Sequence, residues 1–112
     1  MKRIEAVIRP GKVKAVCEAM EKTGHSRLMI SELRGHGMQP DQEFLARDIP
    51  YKNDLVDKAR VEVIVADSEV QKVVLAMREA AFTGEMGDGS IFIHPVQDAL
   101  RIRTAQHGEE AI

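Results

Sequence analysis

Residues Thr83 to Ser90 read TGEMGDGS, with three glycines inside six positions. Glycine enters left-handed backbone freely, so such a turn can converge main-chain N–H groups on an anion, as phosphate-binding nests do. A glycine-rich turn between a helix and a strand is also a common structural device, so the motif needs company. The stretch LRIRT, Leu100 to Thr104, offers it. If this piece is extended, Arg101 and Arg103 project to one side and Ile102 to the other. Two guanidiniums on one side form a planar, multi-donor grip suited to phosphate. The pair gains meaning if it faces the glycine turn of the same or a neighbouring subunit. Gln39 and Lys58 stand at the two roots of a long polar stretch, GHGMQPDQEFLARDIPYKNDLVDK. An amide oxygen can ligate a hard cation, and an ammonium can pair with a carboxylate.

Other reactive side chains are dispersed. His25, His36, His94 and His107 have no metal-ligand spacing and read as surface or packing residues. The single cysteine, Cys17, falls at a helix-periodic position and reads as a small buried hydrophobe. No Ser/His/Asp or Cys/His arrangement is recognisable, so the expectation is a protein without catalytic residues. An alternative, a small trimeric enzyme or metal-binding protein, needs a titratable or ligand cluster that the sequence lacks.

The elements that must position these groups follow from periodicity. KRIEAVIR alternates and reads as a strand, stopped by Pro10 and Gly11. Val13, Val16, Cys17 and Met20 recur at helical spacing between Lys12 and Thr23, and Gly24 supplies a C-terminal stop. Leu28–Arg34 and Arg60–Ala66 read as the next strands. Asp67 and Ser68 offer N-cap chemistry to a second helix, Ser68 to Ala81, whose stripe is Val70, Val73, Val74 and Met77. SIFIHPV is a fourth strand. The order is β-α-β-(long loop)-β-α-β, the α+β split βαβ plan of ferredoxin-like domains. Both helices would cover one face of an antiparallel sheet. Val7 and Ile64 would remain on the other face, which argues for self-association.

A chain of 112 residues is read as one domain, 1–112, with 44% hydrophobic and 30% charged residues. Its 16 basic and 18 acidic residues, interspersed, create no basic field, which argues against nucleic-acid binding. No apolar run reaches membrane-spanning length and MKRIEAVIRP lacks the apolar core of a signal peptide, so a cytoplasmic protein without membrane insertion is expected. A loop longer than 15 residues inside so small a domain is usually functional. Its composition, rich in Gly, Pro and Asp, predicts a mobile segment between Pro40 and Tyr51.

These pieces resemble the PII signal-transduction family, trimeric sensors of nitrogen and energy status. KRIEAVIRP, ELRGHGMQ, the spacing of Tyr51, Asp54, Leu55 and Lys58, VEVIV, TGEMGDGSIFIHPV, RIRT and GEEAI carry the resemblance, which runs gap-free over essentially the whole chain. It implies a homotrimer with adenine nucleotide in the clefts between subunits. Gly87, Asp88, Gly89 and Ser90 would line the phosphates with Arg101, Ile102 and Arg103. Gly37, Met38 and Gln39 would close the site, with Met29 and Ile64 near the adenine and Glu62 near the ribose. Gln39 would help hold a magnesium ion shared by ATP and 2-oxoglutarate, and Lys58 would pair with a carboxylate of 2-oxoglutarate. Residues 37–57 would be the family's flexible T-loop, presented to a client such as an ammonium transporter, another transporter or an enzyme of nitrogen metabolism. Arg47 matches the residue that contacts ammonium channels, and Tyr51 is a possible modification site preceded here by Pro50. Two departures stand out: Met38 and Ser90 replace basic residues. Each lost charge-assisted contact costs about 1.5–3 kcal/mol, so ATP should bind about tenfold more weakly, or worse, than is usual for the family. The alternative that these departures favour is a paralogue reading only adenine nucleotides and regulating a transporter or enzyme outside ammonium assimilation.

Overall fold

A computed structural model of the protein describes residues 1–36 and 55–112. In β1 (Lys2–Ile8), Ile4, Ala6 and Ile8 are buried, while Arg3, Glu5 and Val7 alternate onto the opposite face. That period of two is the mark of a strand packed on one side. Pro10 fixes φ and lacks an N–H, so the ladder ends and a 3-10 turn (Pro10–Lys12) leads into α1 (Val13–Lys22). Val16 and Met20 are the buried residues of α1. Gly24, at φ 87°, closes it: the Gly24 N–H donates to the Glu21 carbonyl at 3.0 Å and the His25 N–H to the Met20 carbonyl at 2.9 Å. This pair of bonds satisfies carbonyls that the helix end would otherwise leave orphaned.

The chain continues through β2 (Met29–His36), β3 (Leu55–Val65), a 3-10 turn (Asp67–Glu69), α2 (Val70–Ala81) and β4 (Ser90–Pro95). The sheet order is β2-β3-β1-β4, with every described pairing antiparallel. Val16, Met20, Val73 and Met77 from the helices meet Ile4, Ala6, Ile8, Val61, Val63 and Val65 from the two central strands. Fully burying each such side chain contributes about 1.5–3 kcal/mol, so this one-sided contact is what holds the α+β split βαβ fold together.

Four local expectations change. β3 begins at Leu55, not near Arg60, and its first residues pair with β2 beyond the reach of β1, down to His36 opposite Leu55. The loop therefore leaves the domain on a projecting two-stranded ribbon, on which Arg34 and Asp57 form an ion pair at 3.5 Å. Neither Asp67 nor Ser68 caps α2 with its side chain; the Asp67 carboxylate lies 3.0 Å from the amino terminus and 3.5 Å from Lys2 Nζ instead. LRIRT is not extended. The Arg101 N–H donates to the Gln106 carbonyl and the Ala105 N–H to the Arg101 carbonyl, with Ala105 at φ 59°, so local hydrogen bonds fold the segment into a turn. Strand alternation therefore does not set the directions of Arg101 and Arg103.

The last change concerns the sheet face away from the helices. Val7 and Ile64 lie on it as expected, but so does an ionic cluster. Glu5 stands 3.2 Å from Arg60 Nε, 3.4 Å from His94 Nε2 and 3.8 Å from Arg3, and Glu62 stands 3.5 Å from Arg60. The face is amphipathic, so uncovered apolar area alone does not dictate how copies would associate. Gly37, Met38, Gln39, Arg47 and Tyr51, and the expected mobility of the loop, lie outside the described residues.

Gly89 sets the entry to β4. A Cβ there would sit 1.8 Å from the Val7 carbonyl oxygen, and φ is +94°. Gly89→Ala should lower stability by at least about 1–3 kcal/mol in a urea titration, from steric overlap and left-handed strain together. Gly11→Ala, with no atom within 4 Å of the new methyl, should change it by less than about 1 kcal/mol.

Candidate functional site

The glycine turn lies at the Arg9 end of the sheet and is held there by side chains. Gly84, Gly87 and Gly89 all have positive φ. The Asp88 carboxylate folds back into the turn: Oδ2 accepts the N–H groups of Thr83 and Gly84, each at 2.9 Å, and Oδ1 accepts the Thr83 hydroxyl. Arg9 Nε donates to Oδ1 at 3.2 Å, and Arg9 Nη2 donates to the Met86 carbonyl at 2.6 Å. Lys58 Nζ donates to the Gly87 carbonyl. Ionic hydrogen bonding, led by Thr83, holds the Asp88 carboxyl far below the usual carboxylate range. Asp88 is therefore an anion at any physiological pH.

The direction of the turn's amides follows from these bonds. In a trans peptide the carbonyl and the next N–H point to opposite sides. With the Met86 and Gly87 carbonyls directed to Arg9 and Lys58, the N–H groups of Gly87 and Asp88 face away from the two cations. The Thr83, Gly84 and Glu85 N–H groups are taken up inside the turn, while those of Gly87 and Asp88 have no hydrogen-bond partner among the described residues, an arrangement that suits an anion-binding nest.

Arg9 is the residue that sequence reading missed. It precedes Pro10 and carries no motif of its own. The signal was positional: Ile8 pairs with Ala59, so the next residues outward, Arg9 and Lys58, meet beyond the end of the ladder. Burial, then the neighbouring Arg9 charge, push the Lys58 ammonium below its usual value, while Asp88 opposes the shift. Two cations side by side have the charge to receive a carboxylate or phosphate, though here both donate to groups of the glycine turn.

The remaining candidates fall into two groups. Met29 pairs with Glu62, and Ile64 follows two residues along β3, so these three share the sheet face away from the helices. Ser90, opposite Val7, is on the same face at the glycine-turn end of β4. Arg101, Ile102 and Arg103 lie beyond the other end of the sheet, where the Val96 N–H donates to the Met1 carbonyl and Arg101 Nη2 reaches the Ala111 carbonyl at 3.5 Å. Ile102 is 98% exposed. The length of β1, about 20 Å at 3.3 Å per residue, separates this tail from the glycine turn of the same chain. Cys17 is only partly buried, less than the buried hydrophobe expected, and burial and the nearby Glu21 push its thiol pKa up, which favours the neutral thiol. Among the described residues no three His, Cys, Asp or Glu side chains are grouped as metal ligands, and the magnesium role rests on Gln39, outside them.

The Arg9–Lys58 coupling is directly measurable. Arg9→Met removes the neighbouring charge that depresses the lysine, so the Lys58 pKa should move upward toward its free value in an NMR titration. The sign follows from like-charge repulsion, which disfavours the protonated amine. An unchanged titration would mean that the two side chains do not interact in solution.

Known proteins share this architecture. A family model described as Nitrogen regulatory protein P-II matches residues 1–106. A Nitrogen regulatory protein P-II of Azospirillum brasilense is 40% identical over 112 residues, covering all of both chains, and one of Cereibacter sphaeroides is 42% identical with the same coverage. The crystal structure of Arabidopsis thaliana PII bound to citrate superposes with a TM-score of 0.83 at 33% identity, covering 99% of this chain and 91% of that one. Those relatives are named as regulators of nitrogen metabolism, and no helix among the described residues is long and apolar enough to cross a membrane. With the model match spanning nearly its whole length, the chain belongs to the P-II family of nitrogen regulatory proteins, and its role is regulatory and non-enzymatic.

Proposed function

We propose that the protein senses ATP or ADP together with 2-oxoglutarate and reports their levels to a partner protein of nitrogen metabolism through residues 37–57. The observation that carries this reading is the junction of three features at one point: the glycine turn, the Arg9–Lys58 cation pair, and the ribbon that bears the loop. A ligand bound there touches the root of the segment that meets the client. The turn's free amides suit a phosphate, and the cation pair suits a carboxylate. Citrate in the Arabidopsis relative is a tricarboxylate, which fits a family site for organic acids. Gln39 would hold Mg²⁺ between ATP and 2-oxoglutarate, a hard cation that charge-balances both anions. A cytoplasmic location, where ATP and 2-oxoglutarate are made and used, is part of this proposal. The client is an ammonium transporter or another transporter or enzyme, reached by Arg47, with Tyr51 as a possible modification site.

Such a site needs more than one copy of the chain. The arginines of the tail lie at the opposite end of β1, a strand about 20 Å long, from the turn they would complete, so in this reading a neighbouring subunit delivers Arg101 and Arg103. Both sheet edges carry exposed apolar side chains, Met29 and Ile30 on β2 and Phe92 and Ile93 on β4. Joining unlike edges is a heterologous contact, which terminates only by closing into a ring. A homotrimer is the ring we propose. Light scattering at micromolar concentration should give three times the chain mass, and a monomer there would remove the intersubunit site.

A second reading, an adenylate-only regulator, is favoured by one specific observation. Lys58 already donates to Gly87, and Arg9 to Asp88 and Met86, so an acid must displace protein contacts to gain its own. Calorimetry separates the two. On the sensor reading, 2-oxoglutarate binds only with ATP and Mg²⁺, ADP does not substitute, and Lys58→Met abolishes its binding while reducing ATP affinity much less. Arg103→Ala should weaken ATP by about tenfold or more and adenosine little, since one charge-assisted bond is lost to the phosphates alone. Absence of 2-oxoglutarate binding at every ATP and Mg²⁺ concentration would select the adenylate-only reading.

A further inference from the structure

We infer that Thr83 is a positioning residue for the anion site: its hydroxyl locks the Asp88 carboxylate inward, so that the glycine turn is preset before any ligand arrives. The inference rests on the nucleotide reading for its purpose, but the lock itself belongs to the free protein. A carboxylate in the middle of a phosphate-binding turn is a liability, because two like charges a few ångströms apart repel even in water. Asp88 escapes this by pointing into the turn. Four donors meet it there: the Thr83 hydroxyl, the Thr83 and Gly84 N–H groups, and Arg9 Nε.

Thr83 is the member of this set that only this side chain can supply. Its backbone N–H would be present with any residue, and Arg9 also serves the Met86 carbonyl. The hydroxyl does two things at once. It donates to Oδ1 of Asp88 and accepts the Glu85 N–H at 3.2 Å, tying the first half of the turn to the last. The ring closed between residues 83 and 88 contains Gly84 and Gly87, both at positive φ, and hands the chain to Gly89 against the Val7 carbonyl. Without the hydroxyl, Oδ1 of Asp88 loses one of its donors and the Glu85 N–H loses its acceptor, so the turn keeps only its backbone and Arg9 ties. The carboxylate is then freer to rotate toward the amides that an anion would use.

The test compares Thr83→Val, which keeps the shape and removes the hydroxyl, with Thr83→Ser, which keeps the hydroxyl. In the ligand-free protein, amide exchange at residues 84–89 should accelerate in Thr83→Val and stay near wild type in Thr83→Ser, with exchange in β1 and α2 unchanged. Calorimetry should find ATP and ADP weakened by about three- to tenfold in Thr83→Val, as expected for one hydrogen bond, and adenosine unaffected. Wild-type exchange and affinity in Thr83→Val would overturn the inference. So would acceleration spread through the whole domain, or equal losses for ATP and adenosine, since either marks a merely structural role. A wild-type protein that binds no ATP defeats the nucleotide reading instead, and the exchange comparison, needing no ligand, then decides the lock alone.

Discussion

The backbone of Gly89 passes so close to the Val7 carbonyl that any side chain at that position would overlap it. Much of the molecule follows from this approach. It seats Ser90 opposite Val7 and thereby fixes the register of β4 along β1. Register in turn decides which side chains face the helices, because a slip of one residue exchanges the two faces of a strand. It also brings the preceding turn over the end of β1, where Arg9 emerges, and within reach of Lys58 on the neighbouring strand. A glycine with no motif of its own chemistry thus determines where the chemistry of the turn is delivered.

Around that point the protein uses charge in an economical way. The whole chain has a net charge of -2, yet two cations stand together at one end of the sheet. Desolvation and the neighbouring Arg9 disfavour the ammonium of Lys58 there, while Asp88 favours it and the Gly87 carbonyl accepts its hydrogen bond. These same contacts orient the peptide planes of the turn. In the function proposed above, binding and scaffolding would be carried by one set of atoms, so a ligand that engages Lys58 would also act on the turn. Such an exchange of partners is how a small bound acid can bias a neighbouring segment, because a ligand shifts an equilibrium only through differential contacts with its two states.

The ionic cluster on the open sheet face has a related consequence. Glu5 and Glu62 are mostly shielded in the single chain and are met by Arg3, Arg60 and His94. Ion pairs of this kind add little stability by themselves, but misalignment of buried charge is costly. In the ring proposed above, they would specify which surfaces can meet, while apolar side chains along β2 and β4 would supply contact area.

The secondary-structure plan was legible in the sequence because hydrophobic period and glycine or proline punctuation are local properties. Ile4, Ala6 and Ile8 announce a one-sided strand, Val16 and Met20 a buried helix stripe, and Gly24 a helix stop whose two closing bonds are present. Family membership was legible too, since TGEMGDGS, RIRT and their spacing are written along the chain. What required the tertiary structure were groups brought together across distance. Arg9 joins the site only because antiparallel register carries it to Lys58. The contacts of the Asp88 carboxylate could not be read in one dimension either, since its donors come from Thr83, Gly84 and Arg9. Asp67 was taken by the amino terminus instead of the helix, and LRIRT turned through hydrogen bonds that alternation cannot foresee. Sequence pattern encodes which face of an element is apolar, whereas the partner of a polar group depends on which donors the fold brings near it.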